Sequence, residues 1–142
     1  MNFANVEYKL SAMMFVQFFI WGSWYVTMGT YLGETLHFNG IQIGLAYGTV
    51  AIASMISPFI VGMIADRFFS ANHVMAFLNI VGAGLLAWLS AIDDFSLFFP
   101  VLIIFPICYM PTTALCNSIS FSNLKDPGNE FSRVRLLGSL GW

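Results

Sequence analysis

Residues 95–124 read FSLFFPVLIIFPICYMPTTALCNSISFSNL and contain no Asp, Glu, Lys or Arg. An α-helix crosses the hydrocarbon core of a bilayer with about 20 mostly apolar residues, since its backbone groups are hydrogen-bonded within the helix. This uncharged run of 30 residues can therefore hold one transmembrane helix. It predicts that the chain is a membrane protein.

The rest of the chain repeats this pattern. Of its 142 residues 58% are hydrophobic and only 8% are charged, whereas soluble domains carry about 25% charged residues. Three further uncharged runs cover residues 10–33, 35–65 and 68–92. Turn residues such as Asn39 and Gly40 shorten the runs, which gives predicted helices at 10–32, 41–65, 73–92 and 96–122, and a fifth from 132 onward. The expected fold class is an all-α polytopic membrane protein.

The basic residues set the expected orientation. All Lys and Arg residues fall on one side of the predicted helices, at Lys9, Arg67, Lys125, Arg133 and Arg135. The positive-inside rule assigns that side to the cytoplasm, so we expect a cytoplasmic N-terminus. The net charge of -2 gives no reason to expect a nucleic-acid partner.

The closing stretch SRVRLLGSLGW, residues 132–142, separates two arginines. At about 100° per residue, Arg133 and Arg135 point to nearly opposite sides of a helix. Arg135 shares a stripe with Ser139 and Trp142, and an arginine within a span is costly unless it faces the bundle interior or a cavity. We therefore interpret Arg135 as facing a substrate cavity and Arg133 as a headgroup anchor; the alternative is that both arginines are anchors. The glycines beside the stripe, Gly138 and Gly141, predict close approach of a neighbouring helix.

Two other predicted spans carry candidate binding residues. Gln17, Trp21 and Trp24 share one face of the first span, and the indoles lie near its middle, which favours cavity lining for a flat, hydrogen-bonding solute over an interfacial aromatic belt. Asn117 lies in a polar stripe of the fourth span, which also contains Pro106 and Pro111. Its amide suits either substrate contact or packing between helices.

The segment GMIADRFFSANHV, residues 62–74, contains Gly62, Asp66 and Arg67 at a characteristic spacing. It resembles the cytoplasmic loop signature of the major facilitator superfamily, in which the acidic residue pairs across a helix junction and biases the gate. The residues that follow, Phe69, Ser70 and Ala71, depart from that signature, which has glycine and then basic residues.

Three stretches carry a closer resemblance. QFFIWGSWYVTMGTYL in the first span, CYMPTTALCNSISF in the fourth and RLLGSLGW at the end are similar to the corresponding stretches of nucleoside:proton symporters of that superfamily, the bacterial nucleoside permeases. The Tyr-Met-Pro-Thr run is the most specific part. The last stretch is also shared with lactose-type sugar symporters.

This resemblance implies a secondary active transporter of the bacterial inner membrane that takes up nucleosides with protons by alternating access. It implies that Arg135, Ser139 and Trp142 line the nucleoside cavity. The sequence supplies no nucleophile with a base, no metal cluster and no phosphate-binding loop, so we expect neither an enzyme nor a cofactor.

The resemblance covers only the N-terminal part of such a transporter, whose site lies between two six-helix halves. We therefore expect a truncated chain that is inactive alone and that needs its missing C-terminal portion as a partner in the bilayer. No Asp or Glu lies deep in a predicted span, so the carboxylate for proton coupling is expected in the missing part. The alternatives are a sugar:proton symporter of the same superfamily and a small four-span protein that binds a partner without transport.

Overall fold

The computed structural model describes residues 3–64 and 70–142, apart from the side chains of 3–5, 58 and 60–64. This part of the chain is helical and contains no strand, which confirms the all-α prediction. A π-helical turn, Tyr31–Thr35, directly follows the first helix. The α-helices are α1 Phe3–Thr30, α2 Gly40–Ile64, α3 Ala71–Leu89, α4 Phe95–Asn123 and α5 Pro127–Gly141.

The start of α2 is fixed by a reciprocal pair of hydrogen bonds. The backbone N–H of Gln42 donates to the side-chain oxygen of Asn39 at 3.0 Å, and the N–H of Asn39 donates to Oε1 of Gln42 at 2.9 Å. This capping box satisfies two backbone donors that would otherwise lack partners at a helix N-terminus. His37 lies two residues before this capping box, and its φ of 54° is in the left-handed region.

The fifth helix begins at Pro127, earlier than the predicted 132. Proline is well suited to the first helical position, because its φ is already helical and its missing N–H has no partner there anyway. The backbone N–H groups of Asn129 and Glu130 donate to the carbonyl of Asp126 at 3.1 and 2.9 Å. Residues 127–131, which lie outside the predicted helices, therefore form the start of α5.

Three of the described helices are long and apolar enough to cross a membrane: one over 40–57 within α2, then α3 and α4. At 28 residues α1 has sufficient length, but it also contains Gln17, two indoles and several hydroxyls. The crossing of the membrane by α1 and α5 stays a prediction.

The chain divides into two compact units. The first comprises Met1–Met28 and Cys116–Trp142, and the second comprises Gly29–Leu115. In the second unit the ring of Phe38 meets those of Phe95 and Phe98 edge-on, at centroid distances of 5.2 and 5.6 Å.

The first unit combines most of α1, the end of α4 and α5. Met14 on α1 and Cys116 on α4 are both fully buried, with their sulfur atoms 3.5 Å apart. Phe121 on α4 stacks on Phe131 of α5 at 4.2 Å. The candidate site lies in this unit.

Helices α1 and α5 run in the same direction. Gly138 on α5 lies against Phe18 of α1. Trp142, which directly follows α5, lies against Gly22 and Tyr25, which are further along α1. Residues later in the α5 segment therefore contact residues later in α1, as expected for two helices that run parallel.

Candidate functional site

All the residues predicted to contact a substrate lie in the first unit. They are distributed over α1, the end of α4, α5 and the residue that follows α5, as Gln17, Trp21, Trp24, Asn117, Arg135, Ser139 and Trp142. The structure brings Arg135 into contact with Asn117, and Trp142 into contact with Trp21, so it joins stripes that the sequence places on three separate helices.

Arg135 is held by groups from two other helices. Its Nη1 donates a hydrogen bond to Oδ1 of Asn117 on α4 at 3.2 Å. Its Cζ lies 4.9 Å from the ring centroid of Phe18 on α1, within the range of a cation–π interaction. In the described part of the chain, the guanidinium has no carboxylate within ion-pair distance. Most of its five N–H donors are available to an acceptor.

Arg133 has different surroundings. Val134, between the two arginines, is fully buried, whereas both arginines are exposed. Within residues 3–64 and 70–142, Arg133 makes no hydrogen bond, ion pair or ring contact. The two arginines thus flank the buried edge of α5. Of the two, only the side chain of Arg135 is held by contacts with other described residues.

Trp142 lies in a cluster of aromatic rings. It meets Trp21 edge-to-face at 4.9 Å and 75°, and lies 6.0 Å from Tyr25. Trp24 meets Tyr25 edge-to-face at 5.7 Å. Edge-to-face pairs at these distances are favourable because the positive ring edge meets the negative ring face. The indole Nε1 of Trp21 is buried and has no acceptor among the described residues.

Glycines allow α1 and α5 to approach closely. A Cβ on Gly22 would lie 2.9 Å from the carbonyl oxygen of Trp142. A Cβ on Gly138 would lie 3.1 Å from Cδ2 of Phe18, and one on Gly141 would lie 3.1 Å from the backbone nitrogen of Phe19. The close approach predicted from Gly138 and Gly141 is confirmed, and Gly22 provides the same clearance from the α1 side.

The predicted site residues differ in accessibility. Arg135, Ser139 and Trp142 are exposed, and the Ser139 hydroxyl makes only a long 3.5 Å hydrogen bond to the carbonyl of Arg135. Gln17, by contrast, is only 2% exposed. Within the described part of the chain, the stripe of Arg135, Ser139 and Trp142 is therefore uncovered, whereas Gln17 is enclosed by other residues.

Two residues of this cluster were not predicted from the sequence. Phe18 lies under Arg135, and Tyr25 packs against Trp142. With Trp21 they form a stripe at positions i, i+3 and i+7 of α1. This stripe shares Trp21 with the predicted stripe that begins at Gln17, and it lies beside that stripe on the helix. The helical spacing of these aromatic residues could have identified Phe18 and Tyr25 from the sequence. The prediction instead followed the polar amide of Gln17, which lies on the adjacent face.

The predicted gating residues Asp66 and Arg67 lie outside the described residues. Gly62 lies in α2, near its end. Among the residues that the structure describes, no group of three His, Cys, Asp or Glu side chains could hold a metal ion. The chemistry at the site is that of a guanidinium, a hydroxyl, an amide and aromatic faces, which suits the binding of a polar planar solute.

Known proteins are similar to this chain in sequence and in fold. Residues 4–142 match the family described as Nucleoside H+ symporter. The chain is 46% identical over 134 residues to YegT of Escherichia coli (strain K12), which covers 94% of this chain and 31% of that protein. It is 38% identical to the xanthosine permease of the same organism, over 97% of this chain and 34% of the permease.

A solved structure is also similar to this chain in fold. The crystal structure of a mutant of nucleoside transporter NupG superposes with a TM-score of 0.89 at 34% identity, over 95% of this chain and 35% of that one. The chain thus spans about a third of the length of these relatives, in their N-terminal part.

Proposed function

Because the chain belongs to the nucleoside H+ symporter family, we propose that it forms the N-terminal part of a secondary active transporter that takes up nucleosides together with protons. The resemblance of its three motif stretches to that family is confirmed. The family consists of transporters and not enzymes. The proposal covers the whole transporter, its substrate and its coupling ion.

The observation that carries the proposal is the juxtaposition of a cation with open donors and a cluster of indoles. Trp142 directly follows α5 and lies two turns beyond Arg135, and both residues contact the same face of α1. A nucleoside has a flat base that stacks on aromatic faces, and it has ring and ribose oxygens that accept hydrogen bonds. The spacing between guanidinium and indole suits a solute with both features.

The residues then have distinct roles. Arg135 and Ser139 donate hydrogen bonds to the nucleoside, and Trp142 offers its ring to the base. Trp21 and Trp24 complete the aromatic wall, and Gln17 is reached when the helices move. Asn117 holds Arg135 and lies at the margin of the cavity.

Transport follows from rocking of the two halves around the site, as in other transporters of this type. The chain provides one side of that site, so residues 1–142 alone lack the opposite wall and are inactive. Coupling to protons requires a carboxylate within the membrane, which lies in the other part of the transporter. Gly62, Asp66 and Arg67 belong to the gate on the cytoplasmic side. The protein lies in the inner membrane of a bacterium, with its N-terminus in the cytoplasm.

The names of the relatives favour a nucleoside over a sugar. The xanthosine permease and NupG are named for nucleoside substrates, and the matched family is named likewise.

The test is uptake by proteoliposomes of the full-length transporter, meaning the complete gene product that contains residues 1–142. We expect saturable uptake of radiolabelled uridine or adenosine that accelerates under an inward proton gradient and is not inhibited by lactose. Vesicles that contain residues 1–142 alone serve as the comparison and show no saturable uptake. Failure of the folded full-length protein to take up any nucleoside contradicts the proposed substrate. Uptake indifferent to the proton gradient contradicts the coupling ion alone.

A further inference from the structure

We propose that Phe18 is a positioning residue for Arg135, and that the aromatic ring of Phe18 fixes where the guanidinium meets the substrate. The inference rests on the proposed function and extends it to a residue that has no expected contact with the nucleoside. It assigns the strength of substrate binding partly to an aromatic ring behind the cation.

The guanidinium is constrained from two directions. Cζ of Arg135 lies over the ring of Phe18, 4.9 Å from its centroid, and Oδ1 of Asn117 accepts a hydrogen bond from Nη1. An arginine side chain has several rotatable bonds, and ordering it costs conformational entropy. Two contacts from different helices restrict the position and the direction of the fork before a ligand arrives. The N–H donors of the guanidinium that these contacts do not engage are left for the substrate.

The ring of Phe18 is itself held in place. It packs against Trp21 at 5.9 Å with an interplanar angle of 40°. On the α5 side, Gly138 leaves room for it, since a Cβ there would lie 3.1 Å from Cδ2 of Phe18. The position of the Phe18 ring is therefore set by its neighbour Trp21 and by the packing of α1 against α5. The ring in turn restricts where the guanidinium of Arg135 can lie.

A ring in this position also compensates for the lack of a carboxylate. In the described part of the chain, no acidic side chain pairs with Arg135. The negative face of an aromatic ring stabilises a cation without accepting its N–H donors. Phe18 thus stabilises the charge and leaves the donors of the guanidinium free, which a paired Asp or Glu would not do.

The test measures uridine affinity by calorimetry on the purified full-length transporter, with thermal unfolding checked for each variant. Phe18→Leu removes the ring and keeps an apolar side chain, and we expect the affinity to fall about three- to ten-fold. Phe18→Tyr keeps the ring, and we expect an affinity within about two-fold of the parent. Phe19→Leu is the matched control, because Phe19 is the next residue on α1 and its side chain is 55% exposed.

The decisive arm is the coupling to Arg135. In an Arg135→Gln background, Phe18→Leu should cause no further loss of affinity, since a residue that acts through the guanidinium has nothing left to position. A role in packing alone predicts the same loss in both backgrounds. Gly138→Ala gives a second variant should Phe18→Leu fail to fold, because its Cβ would lie 3.1 Å from Cδ2 of Phe18 and the ring must shift by a few tenths of an ångström. Its loss of affinity should also vanish without Arg135.

The outcomes separate the two proposals. A parent protein that does not bind uridine contradicts the proposed function. A parent that binds uridine, with Phe18→Leu unchanged or with an undiminished loss in the Arg135→Gln background, overturns the positioning role. Equal losses for Phe18→Tyr and Phe18→Leu overturn it as well.

Discussion

The two arginines of α5 provide a test at the scale of single residues. Arg135 is held by Asn117 and Phe18, whereas Arg133 makes no such contact within the described residues. Arg135→Gln removes charge-assisted hydrogen bonds to the nucleoside, which are typically worth about 1.5–3 kcal/mol each, so we expect at least a ten-fold loss of affinity. Arg133→Gln removes a headgroup anchor and should leave affinity within a few-fold of the parent. Calorimetry on each purified variant of the full-length transporter measures the difference.

Lysine at the same position refines this prediction. Arg135→Lys keeps the charge but loses the planar fork, so it should restore little of the affinity. The folding of each variant is checked by size-exclusion chromatography. Equal effects of the Gln substitutions at 133 and 135 would show that both arginines are topological anchors, and Arg135 would leave the proposed site.

At this scale, helical spacing predicted some of the site but not its partners. The stripe Arg135, Ser139, Trp142 follows from about 100° per residue and needs no tertiary information. The contact between Arg135 and Phe18 joins residues more than 100 positions apart in the chain. It depends on the space that Gly138 leaves for the ring of Phe18. The sequence pattern predicts a close approach at Gly138 but does not say which helix approaches.

The packing of α5 on α1 gives a prediction at the scale of elements. Gly141→Ala would place a Cβ against the carbonyl oxygen of Phe15 and 3.1 Å from the backbone nitrogen of Phe19. Backbone atoms of a helix cannot yield individually, so the helices must separate, at a cost of about 1–3 kcal/mol for overpacking. We expect a lower unfolding temperature for Gly141→Ala in the full-length transporter, measured by differential scanning fluorimetry.

The matched control for this substitution is Gly84→Ala on α3. A Cβ on Gly84 meets nothing within 4 Å, and alanine is favoured over glycine in a helix by about 1 kcal/mol. Gly84→Ala should therefore be neutral or stabilising. Were Gly141→Ala as stable as Gly84→Ala, the close packing of α1 and α5 would be wrong.

The elements themselves were largely predictable, and their ends were less so. Uncharged runs located α2, α3 and α4 because apolar length is the dominant requirement for a helix in lipid. The start of α5 was missed because Asp-Pro-Gly-Asn is typical of a turn, although proline also suits the first helical position. The π-helical turn at Tyr31–Thr35 has no distinct signature in the composition of the sequence.

At the scale of the whole molecule, the distribution of charge predicts a topology. The basic residues all fall in segments assigned to one side of the membrane. The parallel course of α1 and α5 is compatible with this assignment, since helices separated by three others enter the membrane from the same side when every helix crosses it. What the sequence does not specify is which helices touch, because many arrangements satisfy the same charge rule.

Cysteine labelling of the full-length transporter in intact cells tests this topology. Cys108 and Cys116, which lie in α4, and any cysteine in the rest of the transporter are first replaced by alanine, so that a single introduced thiol reports. Asp93 and Lys125 are both exposed and lie at opposite ends of α4, which makes Asp93→Cys and Lys125→Cys a matched pair. A membrane-impermeant maleimide added outside should label Asp93→Cys and should reach Lys125→Cys only after the cells are permeabilised. The reverse pattern would place the arginines of α5 at the outer surface. The orientation would then be wrong, and Arg135 would face a cavity entered from the opposite side.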